Sequence, residues 1–264
     1  MITEIFKYKS SDNIFDHLIH QNEQETLLMA HVHNAYEIIF FLRGDATFVI
    51  EHKKYQLKKN DIIFVRPQKY HYLELNSSNE YERYHVRFSS TLLEMDINKI
   101  IPDEIEVLNC NNNIIQQNFK KLDYYSSHLD EKSFWDIGIC LLKETLYNLG
   151  LLREDVTAYD LVSPLLSQAL KYIDNNLFTI QNITEISQSL YITEPYLFKI
   201  FKKQLKISPK KYITEKRLME AEKRIRLGEK PTEIYRLCGF KTYPAFYKRY
   251  MDCFGFAPSE TPLI

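Results

Sequence analysis

Six glycines and one tryptophan in 264 residues make this a chain poor in the parts of a nucleotide-cradling loop, and no glycine-rich phosphate motif occurs. Cysteine is scarce too. Cys110, Cys140, Cys238 and Cys253 form no C-x-x-C pair, which excludes a structural zinc site built on that pair and suits buried thiols in a reducing compartment. No run approaches the ~18 apolar residues of a membrane span. The opening MITEIFKYKS lacks the apolar core of a signal peptide, so the expected location is cytoplasmic, with no membrane partner. A net charge is nearly absent, at −1, but that value is a cancellation. From Asp160 onward 17 Lys and Arg face 11 Asp and Glu, whereas before it 17 face 24. An acidic front and a basic back point to a polyanionic partner for the back half alone.

What is present begins with β-structure. Glu37–Leu42, Ala46–Glu51, Asp61–Val65, His71–Leu75 and Arg83–Phe88 are short runs rich in Ile, Val, Phe and Tyr, separated by RGD, EHKK and NSSNE. Closely spaced strands of this kind predict a barrel or sandwich. From Ile114 the period changes to that of helices, and two amphipathic helices are expected over about 114–129 and 134–149. The domain reading is 1–152 for this part, 153–161 for a charged linker and 162–264 for an all-helical domain. Helices are expected at 162–175, 182–189, 193–205, 208–227, 231–238 and 242–253. Asn182, Thr193, Ser208 and Thr242 stand at N-cap positions, Pro209 and Pro231 in first turns, and Gly228 and Gly239 at stops.

Residues 183–205 and 231–254 share one pattern: a short helix, a tight turn, then a longer helix with aromatic and basic residues interleaved. A helix-turn-helix places its second helix in the major groove and surrounds it with Lys and Arg on phosphates. The helix at 208–227 would hold the two units ~30 Å apart, close to one turn of duplex. SPKKYITEKRLMEAEKRIRLGEKPTEIYRLCGFKTYPAFYKRYMDCFGFAPSE resembles the signature of AraC/XylS-type transcription regulators, through Ser208-Pro209, Tyr212, Arg217, Ala221, Ile234, Gly239-Phe240, Phe246, Tyr250, Gly255 and Pro258. The usual pattern has a Gly where Lys206 stands and a small residue where Tyr235 stands. The resemblance implies sequence-specific binding of double-stranded DNA, read by Glu194, Pro195, Phe198 and Lys199 in the first unit, with Lys202 and Lys203 on phosphates. In the second unit it implies Tyr243, Pro244, Tyr247 and Lys248. It also implies a homodimer joined through the helices near 112–151, and leaves RNA polymerase open as a further partner.

Against that back half, the stretch AHVHNAYEIIFFLRG is read as part of a sensor. His31, His33 and Glu37, spaced H-x-H-x3-E and expected on one side of an extended strand, resemble the first cupin motif, and His71 in IIFVRPQKYHYLEL resembles part of the second. The same four side chains are left open as ligands of a divalent metal or as hydrogen-bonding groups for a small effector such as a sugar. Tyr36 and Phe41, with Phe48, Tyr70 and Tyr84, are expected as aromatic walls. Arg83, His85 and Arg87 alternate onto one face of their strand, and Trp135 is expected in a core or a dimer interface. The fold class is thus α+β in two domains: a cupin-like β-barrel with two helices, then an all-α domain with two helix-turn-helix units. The expectation is a regulator and not an enzyme. The alternatives are a metal-dependent cupin enzyme with a vestigial helical domain, or a regulator acting mainly through protein contacts.

Overall fold

The computed structural model describes residues 2–10, 13–21, 27–103, 105–110, 113–152 and 163–263. The linker expected at 153–161 lies outside the described residues. The chain divides into two compact units, with its main boundary at Tyr159 and Asp160.

The first unit carries ten strands among the described residues. β1 (Ile2–Ser10), β2 (Asn13–His20), β3 (Leu27–His31), β4 (Tyr36–Arg43) and β5 (Ala46–Ile50) are followed by β6 (Lys53–Gln56), β7 (Asp61–Val65), β8 (His71–Leu75), β9 (Tyr81–Phe88) and β10 (Val107–Asn109). They form a six-stranded sheet, β1-β2-β9-β4-β7-β10, and a four-stranded sheet, β3-β8-β5-β6. Short helices α1 (Ser90–Leu93) and α2 (Ile97–Ile100) precede β10; α3 (Asn113–His128) and α4 (Glu131–Leu151) follow it.

Strand β4 explains the layering. Tyr36, Ile38 and Phe40 share a cluster with Tyr84, Val86 and Phe88 of β9 and with Phe119, Leu122, Phe134, Leu142 and Leu146 of α3 and α4. Residues of the other parity, Ile39 and Phe41, pack inward with Phe48, Ile50, Ile63, Val65, Leu73 and Leu75 from both sheets. A strand covered on both faces has no solvent side, so YEIIFFL reads as a continuous apolar run. Trp135 lies edge-on to Phe15 at 5.3 Å between ring centroids, which places it in the layer between sheet and helices.

In the second unit the helices are α5 (Pro164–Asn176), α6 (Ile183–Ser189), α7 (Glu194–Leu205), α8 (Pro209–Arg226), α9 (Pro231–Leu237) and α10 (Tyr243–Phe254), then a 3-10 turn at Pro258–Glu260. The side chains of Asn182, Ser208 and Thr242 accept backbone N–H groups at the starts of α6, α8 and α10, whereas Thr193 stands at the N-cap of α7 without that bond. α6 with α7, and α9 with α10, are the two helix-turn-helix units. Arg217 of α8 holds their surroundings together. Its guanidinium donates to the carbonyls of Leu177 at 2.7 Å, Ile180 at 2.7 Å and Gly239 at 2.8 Å. Gly239 has φ +81, and a Cβ there would come within 2.7 Å of that guanidinium, so both the turn and the close approach require glycine.

Candidate effector site and nucleic-acid interface

His31, His33 and Glu37 do not share one strand. β3 ends at His31, the chain bends through Asn34 and Ala35, and Glu37 is the second residue of β4. Parity along a strand therefore does not bring them together; the reversal between two strands does. His71 opens β8 in the other sheet. One ligand atom from each of His31, His33, Glu37 and His71 lies within 4.8 Å of the others. His31 is exposed, His33 half-buried, and Glu37 and His71 are buried, so the group runs from surface to interior.

The ring of His71 is fixed on both sides. Its Nδ1 lies 2.8 Å from the Lys69 carbonyl, which can only accept, so Nδ1 carries the proton. Its Nε2 lies 3.3 Å from Glu37 Oε2. The Nε2 lone pair of His71 and the Glu37 carboxylate are thus two neighbouring donors able to share a cation. Three imidazoles and a carboxylate form a donor set that takes zinc and other first-row divalent metals, and the outer bond to a carbonyl is the support that metal-binding histidines carry. These residues fit a divalent cation.

Two expected walls lie elsewhere. Tyr36 has the parity opposite to Glu37; its ring stacks between Phe64 and Phe88 on the helix-facing side, and its hydroxyl donates to Asn98 Oδ1 at 3.3 Å. Tyr84 is on that side too, donating to Asp123 Oδ2 at 2.5 Å. Phe41 and Phe48 do face the barrel interior, and Phe48 stacks on His71 at 6.1 Å between centroids.

The interior holds further charged groups, among them Arg83 and His85 from the alternation along β9. His85 Nε2 lies 3.4 Å from Glu37 Oε1, while its Nδ1 meets Asp16 Oδ2 at 2.9 Å; Asp16 Oδ1 accepts from Arg83 at 3.2 Å. Burial opposes the charged form of His85, but the carboxylates of Glu37 and Asp16 outweigh it and hold its pKa above the ordinary value. Burial likewise opposes the charge of Asp16, yet His85 and Arg83 keep its pKa below the usual one. A second histidine sits on the helix side. His17 meets Asp123 of α3 at 2.7 Å through one nitrogen and Glu82 of β9 at 3.0 Å through the other. Burial works against its charge, and the two carboxylates win, raising its pKa. The sequence signals for these groups are the alternation of Arg83 and His85 in YERYHVRF and Asp16-His17 set among apolar residues in NIFDHLIH.

In the helical unit, Pro195, Lys199, Lys202 and Lys203 of α7 and Pro244, Tyr247 and Lys248 of α10 are exposed. Glu194, Phe198 and Tyr243 are half-buried. Glu194 accepts a short hydrogen bond from Thr184 of α6, and Tyr243 packs its ring on Tyr235 and Phe246, so neither is free to turn wholly outward. Tyr196, which the pattern did not single out, is 49% exposed on α7, and Lys199 and Lys203 follow it at helical spacing on the same stripe.

Both units match known families. Residues 17–114 match the AraC-like ligand binding domain and residues 186–262 match a helix-turn-helix domain. The front part is thus similar to the ligand-binding domain of AraC-type proteins and the back part to a helix-turn-helix domain, each match covering less than half of the chain. It is similar to the probable transcriptional regulator LumQ of Photobacterium leiognathi, with 28% identity over 90 residues, 34% of this chain and 36% of that one. It is also similar to the lactose operon transcription activator of Staphylococcus xylosus, with 30% identity over 102 residues, 38% of this chain and 37% of that one. The matched part thus spans little more than a third of these curated relatives. Among solved structures, ToxT from Vibrio cholerae O395 is similar over 95% of this chain and 97% of its own, with 13% identity and a TM-score of 0.39.

Proposed function

We propose that the protein is a sequence-specific transcription regulator that binds double-stranded DNA through α7 and α10 and takes a small-molecule effector in the barrel. The observation that carries the reading is the convergence of His31, His33, Glu37 and His71 in a domain of the ligand-binding type, in the same chain as two helix-turn-helix units. Lys199, Lys202, Lys203 and Lys248 supply phosphate contacts, which position the protein; Pro195, Phe198, Pro244 and Tyr247 lie at the front of the two helices, where base edges are read. Glu194 and Tyr243 stand beside them and shape the front of each helix. At 18 residues, α8 is ~27 Å long, so the spacing remains near one duplex turn.

The effector is held by the imidazole and carboxylate groups, with Phe48 stacked beside His71 and Phe41 on the same inward face, an arrangement suited to a hydroxylated molecule such as a sugar. A divalent cation on the same four side chains is the second reading, favoured by the His71 nitrogen turned to Glu37. When bound, the cation supplies a fixed positive charge at the barrel mouth. The chain's own residues do the rest: His31 and His33 close the outer side, and Glu37 and His71 hold the inner side. An effector shifts DNA binding only through its unequal affinity for the two states of the protein. A homodimer through α3 and α4 fits their uncovered apolar residues, Ile114, Tyr124, Tyr147 and Leu151, which are 46%, 59%, 57% and 72% exposed. RNA polymerase is a further partner of a regulator of this class, and the cytoplasm is its place. No described helix is long and apolar enough to cross a membrane.

The test is selection of duplexes from a random library by the purified chain, repeated at two salt concentrations and with Lys199→Ala. The reading expects an enriched motif, a steep loss of affinity with salt, and a slope smaller by about 1 in the variant. Recovery of no motif would overturn it.

A further inference from the structure

Glu37 faces two imidazoles at once. Oε2 is 3.3 Å from His71 Nε2, and Oε1 is 3.4 Å from His85 Nε2. His71 belongs to the cluster. His85 comes from the middle of β9, where it stands opposite Ile39 of β4 and Asp16 of β2 and therefore shares the inward face of the sheet.

Behind His85 the support continues: its Nδ1 meets Asp16 at 2.9 Å, and Asp16 is held by Arg83 at 3.2 Å. Glu37, His85 and Asp16 are 5%, 8% and 4% exposed, so none of the three can exchange these neighbours for water. His85 Nε2 is itself fully buried, and the charged group it faces is the Glu37 carboxylate at 3.4 Å.

We propose that His85, held by Asp16 and through it by Arg83, is the positioning residue of this site: it fixes Oε1 of Glu37 so that Oε2 is presented to the ligand shared with His71. His85 itself stays outside the ligand set. A carboxylate on a free side chain must surrender its torsional freedom on ligation, whereas one already held does not. Carboxylates that ligate metals are themselves hydrogen-bonded in this way, and loss of such a partner lowers metal affinity by about 10–100-fold. The Asp16–Arg83 pair restrains the far side of the imidazole ring, so its removal acts through His85. This inference rests on the reading of the cluster as a ligand site.

The probe is the metal alone. The full chain is titrated with Co²⁺, followed by the visible absorption of the bound ion, with Zn²⁺ as competitor; His71→Ala, His85→Gln and Asp16→Asn are compared with the unaltered chain. The expected result is one bound Co²⁺ per chain, abolished by His71→Ala. His85→Gln should bind 10–100-fold more weakly with an altered absorption band, because the carboxylate is no longer held in one orientation. Asp16→Asn should shift both readouts in the same direction by less. Near-UV circular dichroism checks that each variant is folded; if His85→Gln is not, Asp16→Asn decides. A merely structural His85 would lower the melting temperature while leaving the Co²⁺ spectrum and affinity unchanged, and that result overturns the positioning role. If the unaltered chain takes up neither Co²⁺ nor Zn²⁺, the cluster is no metal site and the positioning role falls with it.

Discussion

The two units place most of their charge differently, although α8 of the helical unit also buries Glu222 against Arg226. In the barrel, Asp16, His17, Glu37, His71 and His85 all lie within the fold, each against a group of opposite or complementary character. In the helical unit the cores under α7 and α10 are apolar, and Lys199, Lys202, Lys203 and Lys248 project outward. Buried charges answer to protons and to bound groups, because their partners are fixed and water is excluded. Exposed charges answer to ionic strength, since each is screened until a phosphate displaces its counterions. In the proposed function the same residue types thus serve sensing in one unit and DNA binding in the other, according to which side of the surface they occupy.

The contrast breaks most sharply at Gly239. Replacing it with alanine puts a Cβ against the Arg217 guanidinium at φ +81, and the expected loss for the helical unit is about 3 kcal/mol. Thermal unfolding followed by DNA binding should show the helical unit failing while the pH response of the barrel persists. His17 supplies the next effect, in the barrel. With both nitrogens facing carboxylates and a pKa raised in the fold, its stabilisation is complete below about pH 6.5 and disappears as pH rises through the folded value. Denaturant titrations of His17→Gln against the unaltered chain should differ by about 2 kcal/mol near pH 6, and by progressively less toward pH 9. His85, whose shift has the same sign, contributes to the pH dependence that remains in the variant.

Smaller effects sharpen the DNA side. Lys199→Ala should weaken binding to a selected duplex by about tenfold at low salt and cut the salt slope by about 1. Lys248→Ala tests whether the second unit shares that load: an equal loss assigns both units to phosphates, and no loss leaves the first alone on DNA. Smallest is Tyr191, a 96% exposed side chain at φ +54 in the turn between α6 and α7, where the second unit has Gly239. Tyr191→Gly should leave the helical unit unchanged or stabilise it by about 0.5 kcal/mol, read by its melting midpoint.

How much of this was legible in the sequence follows from the range of each interaction. The helical unit was open to reading because caps and stops are local: Asn182, Ser208 and Thr242 declare helix starts within three residues of the bonds they make. Lys206 stands where the resembled pattern has a glycine, and it adopts the left-handed φ of +61 that a glycine would take. β4 was visible because both its faces are covered. β1 was not, because ITEIFKYKS buries only Phe6 and shows no clean alternation. The motif H-x-H-x3-E picks out side chains that do converge, but for a wrong geometric reason, since a chain reversal and not strand parity joins His31 and His33 to Glu37. His85 and Asp16 could not be joined to Glu37 from the sequence at all: the pairing of β2 with β9, and of β9 with β4, spans about 70 and 45 residues and is set by the fold as a whole. The Glu194–Thr184 bond, between two helices of one unit, was hidden for a milder version of the same reason.

The central claim is that the exposed charge of the helical unit reads DNA under the control of a barrel that binds an effector. The most direct test is to measure, for the duplex selected from a random library, how affinity depends on salt for the unaltered chain and for Lys199→Ala, Lys202→Ala and Lys203→Ala. The account predicts an enriched sequence with two half-sites about one duplex turn apart, a log–log salt slope of about −3 to −4, and a loss of about one unit of slope with each lysine. A chain that enriches no sequence, and whose weak binding ignores both salt and these lysines, would contradict it.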